Sequence, residues 1–189
     1  ALHRHGIEAE PDALRCFAGP PLTDKFQEVY GVTKEEAEQM VRDFRDRYNP
    51  VGVYESRAFA GVREMLQELK AEGYVLGIAT SKPQYLAEML LDRAGLRMFF
   101  DTVIGSTPGM GDDKKWDILT RAMQACGSTY ADSVLVGDTK YDVEGARRCG
   151  VPCVGVRWGY AEEGELEGAD AVVDTPWELL KLFQKMDTA

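Results

Sequence analysis

The fold is decided by the stretch YVLGIATSKP at residues 74–83, an apolar run that ends in two hydroxyl residues, a lysine and a proline. Residues 74–79 are typical of a short β-strand that is buried on both faces of a sheet. Thr80 and Ser81 follow where the chain enters a helix, so their hydroxyl and N–H groups can bind an anion. The same two residues could equally do no more than cap that helix.

Similar apolar runs alternate with helical segments through the rest of the chain. We predict strands at 74–79, 102–104, 133–136, 153–156 and 171–173, and helices at 61–72, 83–94, 115–126, 140–149 and 176–186. This alternation indicates βαβ units and a parallel sheet flanked by helices, which is the α/β class. Ligands of such sheets bind at the carboxyl ends of the strands, so the residues after each strand are the candidates for chemistry.

The first fifty residues, by contrast, show only helical patterns. We predict helices at 9–17, 22–30 and 33–48, and the last of these opens with a capping box formed by Thr33 and Glu36. We therefore expect an all-helical domain at 1–55 and an α/β domain at 56–189.

Charged residues follow two further strands. Residues 105–115, GSTPGMGDDKK, end in two lysines at the start of a helix. A lysine there opposes the helix dipole, which suggests a role in gripping phosphate, although a solvated surface pair would give the same pattern. Asp138 and Asp142 lie four residues apart around the next helix N-terminus, where carboxylates suit Mg²⁺ or simply cap the helix. Together, the hydroxyl, ammonium and carboxylate groups form the set that phosphoryl transfer needs.

Composition narrows the class of partner. The formal net charge of −10 makes nucleic acid and anionic membrane surfaces poor partners. No apolar run approaches the ~20 residues of a membrane span. The four cysteines form no CxxC pair and there are only two histidines, which argues against zinc and for reduced thiols in the cytoplasm. The partner we expect is a small phosphorylated metabolite, and both a monomer and a homodimer stay open.

Five motifs, in order along almost the whole chain, resemble the haloacid dehalogenase superfamily, and in particular its phosphoglycolate-phosphatase-like branch with a helical cap. They are FAGPPL at 17–22, IATSKP at 78–83, KWDIL at 115–119, VGDTKYD at 136–142 and GVRWGY at 155–160. The resemblance implies a Rossmann-like core, with a parallel sheet flanked by helices, and an all-helical cap domain.

The resemblance also implies roles for individual core residues. Thr80 and Ser81 would bind the transferring phosphoryl group. Lys115 would pair with both the nucleophile and the phosphate. Asp138 would coordinate Mg²⁺, and Asp142 would support the ion directly or through water.

Other positions stay less defined by the sequence. Lys114 is the alternative to Lys115 as the lysine of the site. In the cap, Arg45 and the loop from Gly19 to Leu22 are candidates for touching the leaving group of the substrate. Arg45 could instead pair with an acidic neighbour.

One motif of the superfamily is not found in the printed sequence. The superfamily carries Asp-x-Asp-Gly-Thr on its first core strand, whose first Asp attacks phosphorus, and no such motif occurs among these 189 residues. The resemblance places that strand between the ones predicted at 74–79 and 133–136, so we expect the first core strand to be absent from this chain. Unpaired backbone groups are costly, and we expect the chain alone to be unstable or inactive and its parent to be an active phosphatase.

The function that the resemblance implies is Mg²⁺-dependent hydrolysis of a small, phosphoglycolate-like phosphate monoester through an aspartyl-phosphate intermediate. A 5′-nucleotidase, a pyrophosphatase or a hexose phosphomutase of the same superfamily would carry almost the same residues. A non-catalytic phosphate-binding module is the alternative from a different class.

Overall fold

The computed structural model describes residues 1–107 and 114–186. The chain divides into two compact units, Ala1–Ser56 and Arg57–Ala189. This division lies one residue beyond the boundary that the sequence predicts. Within the described residues, no helix combines the length and the apolar composition that crossing a bilayer requires.

The first unit is entirely helical. It contains 3₁₀ turns at Leu2–His5 and Pro11–Phe17, helices α1 (Leu22–Tyr30) and α2 (Lys34–Arg47), a π-helical turn at Tyr48–Gly52 and the short helix α3 (Val53–Glu55). The capping box predicted for α2 is confirmed: the backbone N–H of Glu36 donates to Thr33 Oγ1 at 3.2 Å, and the N–H of Thr33 donates to Glu36 Oε2 at 2.8 Å. The core of this unit consists of Phe26, Ala37, Met40 and Val41.

The second unit is an α/β domain, as predicted. Its strands are β1 (Gly77–Pro83), β2 (Thr102–Ser106), β3 (Leu135–Gly137), β4 (Cys153–Val156) and β5 (Ala171–Val173). Its helices are α4 (Val62–Ala71), α5 (Gln84–Ala94), α6 (Lys115–Cys126), α7 (Lys140–Cys149) and α8 (Pro176–Met186). Each strand pairing in the described part of the domain is parallel, which is the arrangement that βαβ connections produce.

The strands form two separate ladders. β1 pairs with β2, while β3, β4 and β5 form a three-stranded sheet in that order. In the described part of the chain, β1 and β3 therefore each have a strand neighbour on one side only. This is the arrangement expected if the strand that the resemblance places between them is not in the printed sequence.

The first strand differs from its prediction. We predicted it at 74–79 and buried on both faces, but it runs over Gly77–Pro83, is only half-buried, and Val75 is 59% exposed. The preceding residues are held by side chains instead. Lys70 Nζ donates to the carbonyl of Tyr74 at 3.2 Å, and the N–H of Leu76 donates to Asp101 Oδ2 at 2.8 Å. The strand also continues through the polar end of the motif, where Pro83 is in register with Ser106 across an irregularity.

The three-stranded sheet is covered by helices on both faces. One face packs against α4 and α8, and that layer is built around Leu66, Leu179 and Leu180 with Val154 and Val156 of β4. The other face packs against α6 and α7 through Leu119, Met123, Val143 and Ala146. All four residues of β4 are buried, so this strand is the centre of the core. The layers leave the carboxyl ends of the strands as the open edge of the domain.

Candidate active site

The turn after β3 is organised by Asp142. Its Oδ2 accepts hydrogen bonds from the hydroxyl of Thr139 at 2.9 Å, from the N–H of Thr139 at 3.1 Å and from the N–H of Asp138 at 3.2 Å. Thr139 is thus the N-cap of α7, and the alternative that Asp138 caps this helix is wrong. The carboxylate of Asp138 is therefore available for another role.

Lys115 connects three elements of the domain. It is the first residue of α6, and its Nζ lies 2.7 Å from Asp142 Oδ1. The same ammonium group donates to the carbonyl of Ala79, in β1, at 2.7 Å. Only 15% of the Lys115 side chain and 10% of the Asp142 side chain are exposed, so the ion pair is largely shielded from water. The ammonium group is thereby fixed between β1 and the start of α7.

Asp138 is half-buried beside this pair. The N–H of Tyr160 donates to its Oδ2 at 2.9 Å. Burial raises the pKa of the Asp138 carboxyl, and the nearby charge of Asp142 adds to the effect, while Tyr160 N–H and Lys115 oppose it. Among the described residues, Oδ1 of Asp138 accepts no hydrogen bond. Oδ1 is therefore the oxygen of Asp138 that remains for a ligand.

Three glycines pack directly against the charged side chains, and we did not predict this from the sequence. They are Gly137 against Asp142, Gly145 against Lys115 and Gly159 against Asp138. A Cβ at Gly145 would lie 2.7 Å from Lys115 Cγ, and a Cβ at either of the other two would overlap the carboxylate side chain. A sequence signal existed for one of them, because glycine inside a helix such as α7 is unfavourable and usually reflects close packing.

Replacing Gly159 with Ala is expected to lower activity by displacing the Asp138 carboxylate. The added methyl group has no room unless that carboxylate moves, and small misplacements in a site cost about 10²-fold in rate. The measurement is kcat/KM of the full-length protein. Gly155→Ala is the matched control, since its Cβ would meet only the flexible side chain of Leu166 at 3.3 Å. Equal losses in the two variants would contradict the placement of Asp138.

Thr80 and Ser81 lie at the polar end of β1, both half-buried. Thr80 directly follows Ala79, whose carbonyl accepts a hydrogen bond from Lys115 Nζ. Thr80 Oγ1 accepts from the N–H of Lys82 at 3.2 Å and can still donate its own proton. The N-cap of α5 is Pro83, without a side-chain hydrogen bond, so the alternative that Thr80 or Ser81 caps this helix is wrong.

The carboxylates meet the chemical requirements of Mg²⁺. This ion is usually held by one or two carboxylates and completes its shell with water and substrate phosphate oxygens. Oδ1 of Asp138 fits that role. Both oxygens of Asp142 are occupied by protein groups, so Asp142 is better suited to positioning Asp138 and Lys115. Within residues 1–107 and 114–186 there is no cluster of three or more His, Cys, Asp or Glu side chains that could hold a metal, and a Mg²⁺ site does not need one.

The structure describes no hydrogen bond or ion pair between the other predicted residues and this network. Arg45 is exposed on α2 and makes no ion pair with a described residue. Gly19 has a φ of 112°, and Leu22 begins α1 and packs against the core of the helical unit. Lys114 is exposed at the N-cap position of α6. Residues 108–113 of the predicted lysine loop lie outside the described residues.

Comparison with known proteins agrees with this fold. The family described as haloacid dehalogenase-like hydrolase matches residues 1–156. A 5′-nucleotidase of Pseudomonas aeruginosa is 34% identical over 168 residues, which cover 88% of this chain and 76% of the relative. A phosphoglycolate phosphatase of Caulobacter vibrioides is 38% identical over 140 residues, covering 74% of this chain and 59% of the relative.

A solved structure extends the comparison. The structure of a predicted phosphatase from Clostridium acetobutylicum superimposes with a TM-score of 0.93 at 32% identity, over 97% of this chain and 87% of that one. The fold, the order of the motifs and the family match lead to one conclusion. The chain belongs to the haloacid dehalogenase-like hydrolase family, and it is a phosphatase-type hydrolase by relationship.

Proposed function

We propose that the full-length protein is a Mg²⁺-dependent phosphatase that hydrolyses a small phosphate monoester in the cytoplasm. The observation that carries the proposal is the hydrogen-bonded network of Lys115, Asp142 and Asp138, which joins β1 to the carboxyl end of β3. An ammonium group and a free carboxylate oxygen, held at the edge where α/β sheets bind ligands, suit a phosphoryl group with its cation.

Each residue of the network has a distinct role in this proposal. Lys115 neutralises phosphoryl oxygens and is aimed by Asp142 and by the carbonyl of Ala79. The hydroxyl groups of Thr80 and Ser81 donate to the same phosphoryl group. Asp138 holds Mg²⁺ through Oδ1, and the ion when bound supplies charge stabilisation for the phosphoryl oxygens.

The attacking group in this proposal is an aspartate that forms an aspartyl-phosphate. It would belong to a strand between β1 and β3, outside the 189 printed residues, where both strands have an unpaired edge within the described part of the chain. We therefore expect the printed chain alone to show no turnover, and this stays a prediction.

A substrate panel tests the proposal. Phosphate release by the full-length protein would be measured with 2-phosphoglycolate, a nucleoside 5′-monophosphate, pyrophosphate and a hexose phosphate, with Mg²⁺ and with EDTA. We expect release from at least one monoester, its loss in EDTA and its recovery with Mg²⁺. Phosphate or Mg²⁺ binding without turnover of any substrate would instead support a non-catalytic phosphate-binding module. Release from pyrophosphate alone, or isomerisation of the hexose phosphate, would identify the corresponding alternative activities.

A further inference from the structure

Two aromatic side chains lie together at the open edge of the α/β domain. Phe59, which precedes α4, and Tyr160, which follows β4, have ring centroids 6.3 Å apart and planes inclined at 65°. Phe59 is 45% exposed and Tyr160 is 48% exposed, although aromatic rings of this size usually bury more of their surface. Nearly half of the surface of each residue is therefore open to solvent.

The position of this pair is fixed by the candidate active site. The N–H of Tyr160 donates to Asp138 Oδ2 at 2.9 Å, and the adjacent Gly159 packs against the same carboxylate. The backbone of Tyr160 therefore contacts the carboxylate that we assign to Mg²⁺ binding. A phosphate ester held by Lys115 and by an ion on Asp138 would therefore lie on the side of the domain to which Tyr160 belongs.

The charges around the rings disfavour an anionic leaving group. Glu162 and Glu163 follow Tyr160 closely, and both are exposed. Arg157 lies 3.1 Å from Asp174 and Lys140 lies 3.0 Å from Glu165, while Arg57, two residues before Phe59, is exposed. Glu162 and Glu163 would repel a leaving group with its own carboxylate on the Tyr160 side of the pair, whereas an uncharged planar ring would meet no such repulsion.

We propose that Phe59 and Tyr160 form a stacking surface for a flat heteroaromatic leaving group, so that the substrates are nucleoside 5′-monophosphates. Aromatic side chains stack on any nucleobase because each base has a π face, and such stacking is sequence-tolerant. The inference rests on the proposed phosphatase function and narrows its substrate class. It also assigns specificity to two residues outside the network of charges.

The test compares AMP with ribose 5-phosphate, which differ by the base alone. In the full-length protein with Mg²⁺, we expect kcat/KM to be about tenfold or more higher for AMP, the range of a single stacking contact. Phe59→Leu and Tyr160→Leu keep apolar bulk but remove the ring faces, so each should reduce the AMP to ribose 5-phosphate ratio about tenfold, mainly through KM for AMP. Tyr130→Leu is the matched control, since Tyr130 is also 48% exposed but lies in the turn before β3.

The possible results distinguish a failure of the stacking surface from a failure of the phosphatase function. Equal kcat/KM for AMP and ribose 5-phosphate in the unaltered protein, or an unchanged ratio in both leucine variants, would overturn the stacking surface while leaving the phosphatase intact. No turnover of any ester with Mg²⁺ would overturn the proposed function and this inference with it. Should Phe59→Leu fail to fold, the more exposed Tyr160 gives the decisive variant, with thermal unfolding as the check on its fold.

Discussion

Replacing Asp138 with Asn is expected to lower kcat/KM of the full-length protein by about 10²- to 10³-fold, the range for removing one electrostatic contact to a reacting group. Asn has nearly the same shape as Asp, and its amide oxygen can still accept the hydrogen bond from the N–H of Tyr160. It removes the negative charge that we assign to Mg²⁺ binding. The loss should be accompanied by a higher Mg²⁺ concentration for half-maximal activity.

The same variant should be at least as stable as the unaltered protein when metal is absent. Burial raises the pKa of the Asp138 carboxyl, so the folded state holds its proton to a higher pH than the unfolded chain does. Stability is therefore lost as pH rises from the unfolded value of 3.8 through the raised folded pKa, and the full penalty is present above that folded pKa. Asn has no such penalty. Thermal unfolding in EDTA at neutral pH measures the difference.

Asp174→Asn is the matched control for both measurements. Asp174 follows β5 as Asp138 follows β3, but its side chain is 62% exposed and paired with Arg157 at the surface. A surface pair of this kind contributes little, so activity and stability should hardly change. Unchanged turnover in Asp138→Asn, or an equal loss of activity in the two variants, would contradict the assignment of Asp138 to Mg²⁺ binding.

Replacing Lys115 with Met should reduce both activity and stability. The substitution leaves the shielded carboxylate of Asp142 without its cation, which typically destabilises a protein by about 3 kcal/mol. Activity should fall by about 10²-fold or more because a positive charge beside the phosphoryl group is lost. Urea unfolding and kcat/KM would be measured on the same preparations.

A double variant separates the two effects. In Lys115→Met with Asp142→Asn, no uncompensated charge remains, and the amide oxygen of Asn can still cap α7. We expect much of the lost stability to return while activity stays low, because only the phosphate-binding role is still missing. Recovery of activity together with stability would show that Lys115 has a structural role alone.

Lys114→Met serves as the control for the choice between the two lysines. Lys114 is exposed, and its substitution should leave the free energy of unfolding almost unchanged. If Lys114→Met removed activity and Lys115→Met did not, the lysine of the site would have been assigned to the wrong residue.

The α/β fold was predictable because its signal is local. Each strand of the parallel sheet is a short apolar run, and the helices between them repeat their apolar residues with the helical period. The spacing of Asp138 and Asp142 likewise follows from one turn of helix. The family motifs then placed Thr80 and Lys115 beside these carboxylates, and the structure brings Lys115 and Asp142 within 2.7 Å of one another.

The remaining features depend on contacts between residues that are distant in the sequence. The start of β1 is set by Asp101, which is 25 residues from Leu76 and 31 from Lys70. The amide of Tyr160 reaches Asp138 across 22 residues. The hydrophobic periodicity of a short segment does not indicate which distant residue that segment will contact. For the same reason, the pairing of Phe59 with Tyr160 could not be inferred from either residue's surroundings in the sequence.

The glycines that face the charged side chains make the enzyme fragile in an unexpected way. At these positions a Cβ atom would collide with a charged side chain, so the geometry of the site depends on the absence of a side chain at each glycine. A genetic screen for loss of function should therefore collect hits at Gly137, Gly145 and Gly159 as often as at the ionised residues. An engineer who redesigns the substrate range would do well to leave these three backbone positions untouched.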